Sequence, residues 1–430
     1  MIVLSHYKGV QFLKAERNGH TLNIAATTIC EVFWNLAEAF PEDLIVWKDD
    51  TLNLRENIDI FSEFTHKFVM ISFPVESQFI PDEIGYVDQL PFVKPNYAVR
   101  YPSWRMSIDI GGMYSKAVLR FREIFSKIND FGYLISSIAK LGQQNGLMCY
   151  LDQKIIKSPV QQKLKLPTSY KFLIKFVGQH YKKQRLVVLL LCLWKYHKKL
   201  PVFSILKAFA SSSYFQKSVD IDLRTGYELS RNVEIEDDID LVIPTLFRKK
   251  YVLKLLEDLR TQTKLPKRVI IVEQNPEAVA KSEFDFATQN WPFEIIHHFV
   301  HEVGACNARN LAMRSVISKY VFFADDDIRL YDNFLLEKSL KEMKRLGSSG
   351  LNLNCLQPGE KTIFSKIKQW GAFGSGTSIV LTNFAKRCRF SEFLEKGFGE
   401  DIDYGLQLRN LGCDVIYHPD LQFVHLKADR

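Results

Sequence analysis

The amino-acid sequence predicts an α/β protein whose C-terminal half forms a mostly parallel sheet flanked by helices. From about residue 240 onwards, short apolar strands alternate with helical segments, which is typical of βα units that build a parallel sheet. The length of 430 residues exceeds what one ordinary hydrophobic core uses. A hydrophobic share of 47% and a charged share of 25% are those of a globular chain. We therefore expect several folded domains.

The composition divides the chain into three parts. These are an N-terminal α/β domain at residues 1–155, a basic helical connector at 156–235 and a second α/β domain at 236–430. The main boundary is placed where the basic stretch gives way to the acidic run Glu234–Asp240. In the first part the predicted strands are Asp43–Trp47 and Lys67–Phe73, and the predicted helices are Ser115–Ile128 and Tyr133–Gln143.

In the C-terminal part the predicted elements follow one another without a long loop. The strands are Leu241–Ile243, which Pro244 stops, then Arg268–Val272, Phe293–Val300 and Tyr320–Ala324. The helices between them are Tyr251–Gln262 and Ala305–Ile317. The triplet Asp325–Asp327 follows the fourth strand directly. Open α/β sheets bind their ligands at such strand ends, so this triplet marks the expected site.

The segment from Gln153 to Lys217 contains lysine and arginine throughout and no aspartate or glutamate. It would attract phosphate groups or an anionic membrane leaflet; the alternative is a solvated helical face that balances acidic surface elsewhere. Helices with breaks at Pro167 and Pro201 are expected here. The apolar run Leu186–Trp194 is about half of a bilayer span, so a buried helix is expected. Nucleic acid is not an expected partner, because zinc-finger, basic-zipper and RNA-recognition signatures are missing.

The cysteines favour a reducing compartment. Seven are scattered along the chain without a CxxC pair or a metal-ligand spacing, as is typical of reduced thiols in the cytoplasm. The first residues do not have the pattern of a signal peptide. The predicted location is the cytoplasm, with peripheral contact at the inner face of the cell membrane.

The Asp325–Asp327 triplet is a candidate cation site. Three successive carboxylates repel one another unless a cation is bound. Hard oxygen ligands favour Mg²⁺ or Mn²⁺. In an extended segment Asp325 and Asp327 point the same way and can address one ligand set. The alternative is an acidic surface turn.

A second acidic motif is Gly397–Asp401, in which Glu400 and Asp401 are expected to open a helix that ends at Gly412. Carboxylates at a helix N-terminus are stabilised in their ionised form. One of them could take a proton from an acceptor hydroxyl. The alternative is simple helix capping.

Two further residues are weighed singly. Arg309, within Gly304–Asn310, can neutralise a phosphate or hold an aspartate, or it can belong to an exposed polar helix start. His425 lies between apolar residues, where a core histidine is the alternative to a ligand.

Taken in order along the chain, these motifs resemble those of the inverting family 2 glycosyltransferases with the GT-A fold. The matching residues are Pro244-Thr245, Ile271–Glu273, Ala308–Asn310, Phe323–Asp327, Gly374–Thr377, Gly399–Asp401 and His425. The resemblance implies a metal-dependent, hexosyltransferase-type enzyme that moves one sugar from a nucleotide diphosphate sugar to a glycan or lipid-linked acceptor. It further implies a place in cell-surface polysaccharide biosynthesis.

The resemblance also implies a role for each matching residue. Asp401 corresponds to the catalytic base, with Glu400 beside it. The implied ligands of Mn²⁺ or Mg²⁺ are Asp327, Asp325 and His425. The implied contacts to the nucleotide sugar come from Pro244, Thr245, Glu273, Arg309, Asp325 and Asp326.

The sequence departs from the family pattern in two places. Glu273–Pro276 replaces the usual Asp-Asp-Gly-Ser run, so the nucleotide stays open. The Gln-x-x-Arg-Trp signature of processive synthases is missing, and Lys368–Trp370 does not match it, which favours transfer of single sugars. The N-terminal part resembles a degenerate glycosyltransferase-like domain around Ser107–Gly112. The alternative functions are a nucleotidyltransferase acting on sugar phosphates and a non-catalytic nucleotide- or glycan-binding protein.

Overall fold

The computed structural model describes residues 1–26, 28–52, 54, 64–76, 78–157, 170–224, 237–284, 290–395 and 398–427. The chain divides into two compact units, Met1–Tyr227 and Glu228–Arg430. The predicted connector is not a separate unit here, because its described helices belong to the first unit. Parts of the sequence predictions lie outside the described residues, namely Lys163, Lys165, Pro167, Glu234–Glu236 and Gly397.

The first unit is built on a mixed sheet with the strand order β3-β2-β1-β4-β7-β5-β8-β6. Its strands are β1 (Ile2–Tyr7), β2 (Gln11–Arg17), β3 (His20–Thr21), β4 (Leu44–Asp49), β5 (Val69–Ser72), β6 (Tyr101–Pro102), β7 (Ile110–Tyr114) and β8 (Met148–Leu151). Buried aromatic rings pack edge to face beneath this sheet, among them Phe33, Trp47 and Phe131. These rings explain why the strand predicted at Asp43–Trp47 is fully formed.

Helices cover this sheet and then continue into the basic segment. They are α1 (Ile29–Ala39), α2 (Ser115–Leu119), α3 (Arg122–Phe125), α4 (Phe131–Asn145), α5 (Tyr170–His180), α6 (Arg185–His197) and α7 (Val202–Phe209). Asp130 caps α4 by accepting from the Tyr133 N–H, and Gly146 ends it with φ +111°. The single helix predicted at Ser115–Ile128 is divided into α2 and α3.

Helix α6 corrects the prediction of a buried helix at Leu186–Trp194. Leu186, Leu189 and Leu193 are buried, whereas Leu191 and Trp194 are each 54% exposed. The apolar run therefore covers two faces of one helix, and only one of them packs against the unit. Among the residues that the structure describes, no helix combines the length and the apolar composition needed to cross a membrane.

The second unit is built on a second mixed sheet with the strand order β11-β10-β9-β12-β16-β14-β17-β13, and β15 pairs with β17 beside this order. Strands β9, β10, β11 and β12 run parallel to one another. The strands are β9 (Ile239–Leu246), β10 (Arg268–Gln274), β11 (Glu294–Val300), β12 (Tyr320–Ala324), β13 (Ile328–Arg329), β14 (Gly350–Leu356), β15 (Lys368–Gln369), β16 (Thr377–Leu381) and β17 (Val415–His425).

Helices lie on both faces of this sheet. Successive residues of a strand face opposite sides, so one strand contributes apolar side chains to both layers. On β9, Leu241 and Ile243 belong to one apolar core and Val242 to another. The first core includes residues of α8 and α10, and the second includes residues of α9 and α12. These helices, with α11, are α8 (Lys249–Arg260), α9 (Ala305–Ala312), α10 (Leu335–Leu346), α11 (Thr382–Ala385) and α12 (Glu400–Asn410). The predicted α/β fold class is confirmed.

Two predicted boundaries in this unit are wrong. Strand β9 continues through Pro244 to Leu246, because its pairing with β10 extends that far while its pairing with β12 ends at Val242. Proline is tolerated where the strand ladder is one-sided. Helix α9 ends at Ala312 rather than at Ile317.

Candidate active site

The candidate site lies at the carboxyl ends of β9, β10 and β12. Because these strands are parallel, their last residues meet at one edge of the sheet. Thr245 on β9 is the register partner of Glu273 on β10. The triplet Asp325–Asp327 begins directly after β12. The strand order thus brings together residues that are distant in the sequence.

Asp326 is held by β9 and by the residues that follow it. The Thr245 hydroxyl donates to Oδ2 of Asp326 at 2.7 Å, and Nη1 of Arg248 donates to Oδ1 at 3.0 Å. Burial raises the pKa of Asp326. The same Nη1 of Arg248 lies 3.3 Å from Oδ2 of Asp327. Arg248 therefore supplies positive charge to two of the three aspartates.

Asp325 has a different cation as its partner. Nη2 of the buried Arg309 on α9 donates to Oδ1 of Asp325 at 2.9 Å. The Asp325 carboxylate rests on the backbone of Gly376, where a Cβ would lie 2.1 Å from Oδ2. Arg309 thus holds an aspartate, as one of the two predicted roles requires, and glycine at position 376 leaves the space for it.

Asp327 faces His425, the last residue of β17. Nε2 of His425 lies 2.9 Å from Oδ1 of Asp327. This hydrogen bond is the main cause that raises the pKa of His425 to about 10. His425 is therefore a member of the site rather than a core histidine.

A divalent cation at Asp327 and His425 would have to replace the proton that these two side chains share. A carboxylate oxygen and an imidazole nitrogen are ligands that Mn²⁺ accepts, and Mg²⁺ binds through one or two carboxylates with substrate phosphates and water. Within the described residues, no group of three His, Cys, Asp or Glu side chains could hold a metal alone. Asp325, the third predicted ligand, faces Arg309 instead.

Asp401 lies at the start of α12, where the sequence predicts it. Its Oδ1 accepts from the Ser375 N–H at 3.1 Å, and this serine precedes Gly376, on which Asp325 rests. Burial raises the pKa of Asp401, and the charge of Arg309 opposes that rise. Asp401 therefore lies within electrostatic reach of the arginine that holds Asp325. Glu400 accepts from the Gly399 N–H at 3.1 Å.

Hydrogen bonds hold the two helices, α9 and α12, that carry Arg309 and Asp401. Nη2 of the buried Arg409 on α12 donates to the carbonyls of Trp370 and Ala372, which lead into the loop of Ser375. The Glu395 carboxylate accepts from the N–H groups of Cys306 and Asn307 and so caps α9. Arg409 thus holds α12 against the segment before Ser375, and Glu395 fixes the start of α9.

The Glu273 carboxylate has three contacts within the second unit. Its carboxylate accepts from the Ser282 hydroxyl and from the Glu283 N–H, and it lies 2.9 Å from Nε2 of His297. The predicted contact to a nucleotide base stays a prediction. Pro244 is half-buried beside it, in register with Val272.

Sequence reasoning missed two residues of the site, Arg248 and Glu395. It included Ser375 in the matching motif Gly374–Thr377 but gave this serine no role. Arg248 is the second residue after β9 ends, and this position close to the strand end was its available signal. Ser375 acts through its backbone N–H, to which side-chain chemistry gives no clue. Glu395 reaches α9 from a loop far along the chain, so only the fold brings the two together.

Comparison with known proteins gives a family match for part of the chain. Residues 240–391 match the sequence model of the family described as Glycosyl transferase family 2. Residues 240–391, within the second unit, therefore form a glycosyltransferase family 2 domain. No curated protein matches the chain.

Solved structures similar to this chain include TarS of S. aureus. TarS residues 1–349 are 17% identical, with a TM-score of 0.37 over 44% of this chain and 60% of that one. The same fragment in complex with UDP-GlcNAc is 18% identical, with a TM-score of 0.37 over 45% and 59%. A longer TarS structure is 17% identical, with a TM-score of 0.36 over 44% and 36%. This chain thus covers less than two thirds of each of these structures.

Proposed function

We propose that the second unit transfers a single sugar, with inversion, from a nucleotide diphosphate sugar to a hydroxyl of a glycan or lipid-linked acceptor. One observation carries this proposal. Three aspartates at the strand ends are held by two arginines and a histidine, and Asp401 is bound by the loop on which one of them rests.

The leaving diphosphate is the group that needs most stabilisation. Arg248 and Arg309 provide fixed positive charge beside the aspartates. A divalent cation held by Asp327 and His425 would supply Lewis-acid stabilisation of the phosphate oxygens. The two arginines are in place before the reaction begins and do not need to reorganise.

Asp401 acts as the base in this proposal. The acceptor oxygen attacks the anomeric carbon while the bond from that carbon to the diphosphate breaks, and the hydroxyl proton passes to Asp401. Burial favours a proton on this carboxyl, which brings its pKa closer to neutral and makes it a better base. The rate should rise with pH through the pKa of Asp401, because only the ionised form accepts the proton.

The first unit takes the role of a degenerate glycosyltransferase-like scaffold or acceptor-binding module in this proposal. The whole chain would act in the cytoplasm on an acceptor of cell-surface polysaccharide biosynthesis, at the inner face of the membrane.

The test combines donor binding with one substitution. Thermal shifts with a panel of nucleotide sugars that includes UDP-GlcNAc, with and without Mn²⁺, identify the donor, because a ligand of the native state raises its stability. Asp401→Asn should then lower kcat about 10²–10⁴-fold while donor binding persists. Asp403→Asn, in the same helical turn, is the matched control and should keep normal turnover.

Two results would contradict the proposal. One is near-normal turnover in folded Asp401→Asn protein. The other is a folded protein whose melting temperature does not respond to any nucleotide sugar with or without Mn²⁺, which would favour a binding module.

A further inference from the structure

Helices α6 and α7 present apolar side chains to solvent. On α6, the side chains of Val187, Val188, Leu191 and Trp194 are 37–54% exposed. The spacing of Val187, Leu191 and Trp194 places these three along one face of the helix. On α7, Phe203 is 90% exposed and Leu206 is 60% exposed. Both helices therefore have a second apolar face besides the one that packs against the unit.

A surface helix normally has one apolar stripe and an opposite polar face. Contiguous exposed apolar area on a soluble protein marks an interaction surface. Within the part of the chain that the structure describes, packing does not account for Phe203, Leu206 and Trp194, since most of each side chain stays in contact with water. The second face therefore needs an occupant.

The two helices are held rigidly enough to form one surface. Nζ of Lys183, just before α6, donates to the carbonyls of Ala208 and Ser211 at the end of α7. A Cβ on Gly178 of α5 would lie 2.9 Å from Cβ of Ala208, so α7 packs closely on α5. The apolar residues are thus fixed on a folded support before any partner arrives.

The charge along these helices indicates which kind of partner covers their second apolar face. No acidic residue occurs between Gln153 and Lys217, whereas Lys195, Lys198 and Lys207 are exposed within or beside α6 and α7. A second copy of the chain would bring the same cations face to face, which is unfavourable. An anionic lipid surface neutralises them and accepts apolar side chains without requiring matching hydrogen bonds.

We propose that α6 and α7 form an interfacial surface that docks on an anionic lipid bilayer. Phe203, Leu206 and Leu191 insert into the headgroup region, and Trp194 lies at its boundary, where tryptophan is enriched. The lysines contact lipid phosphates with their stems along the apolar side chains. This surface does not depend on catalysis, so it can be tested apart from the proposed transferase activity.

The experiment is flotation of the full chain with vesicles of phosphatidylcholine, with and without phosphatidylglycerol. We expect binding only to the anionic vesicles and release as NaCl rises from about 0.1 M to about 1 M, over which the Debye length falls from about 10 Å to about 3 Å. The variant Phe203→Ser/Leu206→Ser should lower the partition coefficient at least about tenfold, since each side chain gives up its apolar burial. Lys195→Glu/Lys207→Glu should weaken binding and its dependence on salt.

The matched control is Val279→Ser/Ile363→Ser, because these side chains of the second unit are 91% and 79% exposed and should leave vesicle binding unchanged. Failure of the wild type to bind anionic vesicles overturns the proposal, as does binding that Phe203→Ser/Leu206→Ser leaves intact. A wild-type oligomer that becomes monomeric in this variant, without vesicle binding, assigns the surface to protein association instead. Donor-induced thermal shifts of the same variants report separately on the transferase proposal.

Discussion

The two units share one pattern of strands and differ in what lies at the strand ends. In the first unit β1 and β4 are parallel, β7 pairs antiparallel with β4 and with β5, and β8 runs parallel to β5. In the second unit β9 and β12, then β16, then β14 and β17 repeat these relations in the same order. Strands β6 and β15 also correspond, each antiparallel to the neighbouring β8 or β17.

The flanks of this shared pattern differ. Beside β9 the second unit has the parallel strands β10 and β11, whereas beside β1 the first unit has the antiparallel hairpin β2–β3. Strand β17 continues to His425, whereas β8 ends at Leu151. Within its described residues, the first unit therefore has no counterpart of the strand that carries Glu273 or of the extension that carries His425.

The strand registers allow a residue-by-residue comparison at the site. The last residue of β4 that pairs with β7 is Lys48, opposite Ile110, and the last of β12 that pairs with β16 is Ala324, opposite Thr377. Asp49 thus corresponds to Asp325, and Asp109 stands where the second unit has Gly376.

In the first unit these carboxylates accept hydrogen bonds from residues close to the strand ends. Asp49 accepts from the N–H and hydroxyl of Thr51, and Asp109 accepts from the N–H groups of Val75 and Glu76. Helix α4 begins with buried Phe131, where α12 begins with Glu400. On the same strand pattern, the aspartates of the second unit pair with arginine and histidine side chains, whereas those of the first unit bond to nearby loop residues. The residues at the strand ends therefore determine whether this edge can form a site.

The largest difference should appear when the corresponding aspartates are changed. Asp325→Asn keeps an oxygen for Arg309 but removes the negative charge, and we expect kcat/KM for the donor to fall about 10²-fold or more. Asp49→Asn should leave kcat/KM unchanged and lower the free energy of unfolding by about 1 kcal/mol, because it weakens a local loop. Steady-state kinetics and urea unfolding measure the two effects. A loss of turnover in folded Asp49→Asn protein would mean that the first unit takes part in catalysis.

Glycine substitutions should have smaller effects, which fall on activity in the second unit and on stability in the first. In Gly376→Ala the new Cβ lies 2.1 Å from the Asp325 carboxylate, which must turn away from Arg309. We expect stability to be nearly unchanged and kcat/KM to fall about tenfold, equivalent to about 1.4 kcal/mol.

Gly111→Ala is the comparison variant in the first unit, on strand β7, which corresponds to β16. There the Cβ would lie 2.2 Å from the Trp47 ring and 2.9 Å from the Ile71 carbonyl. Overpacking of this kind should cost about 1–3 kcal/mol of stability and leave the kinetics of the folded fraction normal. If both variants lost only stability, the Gly376 contact would have no special link to the donor site.

Several parts of the fold and the site could be predicted from sequence, because their signals are local. Tyr320–Ala324 is an uninterrupted apolar run, and the strand has these bounds. The Asp325–Asp327 triplet follows it, so the rule that ligands bind at strand ends located the site. Glu400 and Asp401 were placed at a helix start by the glycines around them, and α12 begins there.

The remaining features depend on contacts between distant residues. Pro244 predicts a strand end, yet pairing with β10 extends the strand, and such pairing cannot be seen in one segment. The Leu186–Trp194 run has the composition of a core helix, but composition does not show that only one face of α6 would be covered. Arg248 joined the site because β9 and β12 are neighbours, which depends on the sheet order.

The smallest effects should come from helix caps, one in each unit, and should still separate the units. Asp130→Ala removes the cap of α4, and Glu395→Ala removes the carboxylate that caps α9. Each should lower the free energy of unfolding by about 1 kcal/mol. Only Glu395→Ala should also weaken donor binding, by roughly two- to fivefold, because α9 carries Arg309 and a frayed start loosens its hold on Asp325. Titration calorimetry with the identified donor measures this difference, and equal affinities in both variants would show that Arg309 is positioned by the sheet rather than by the capped helix.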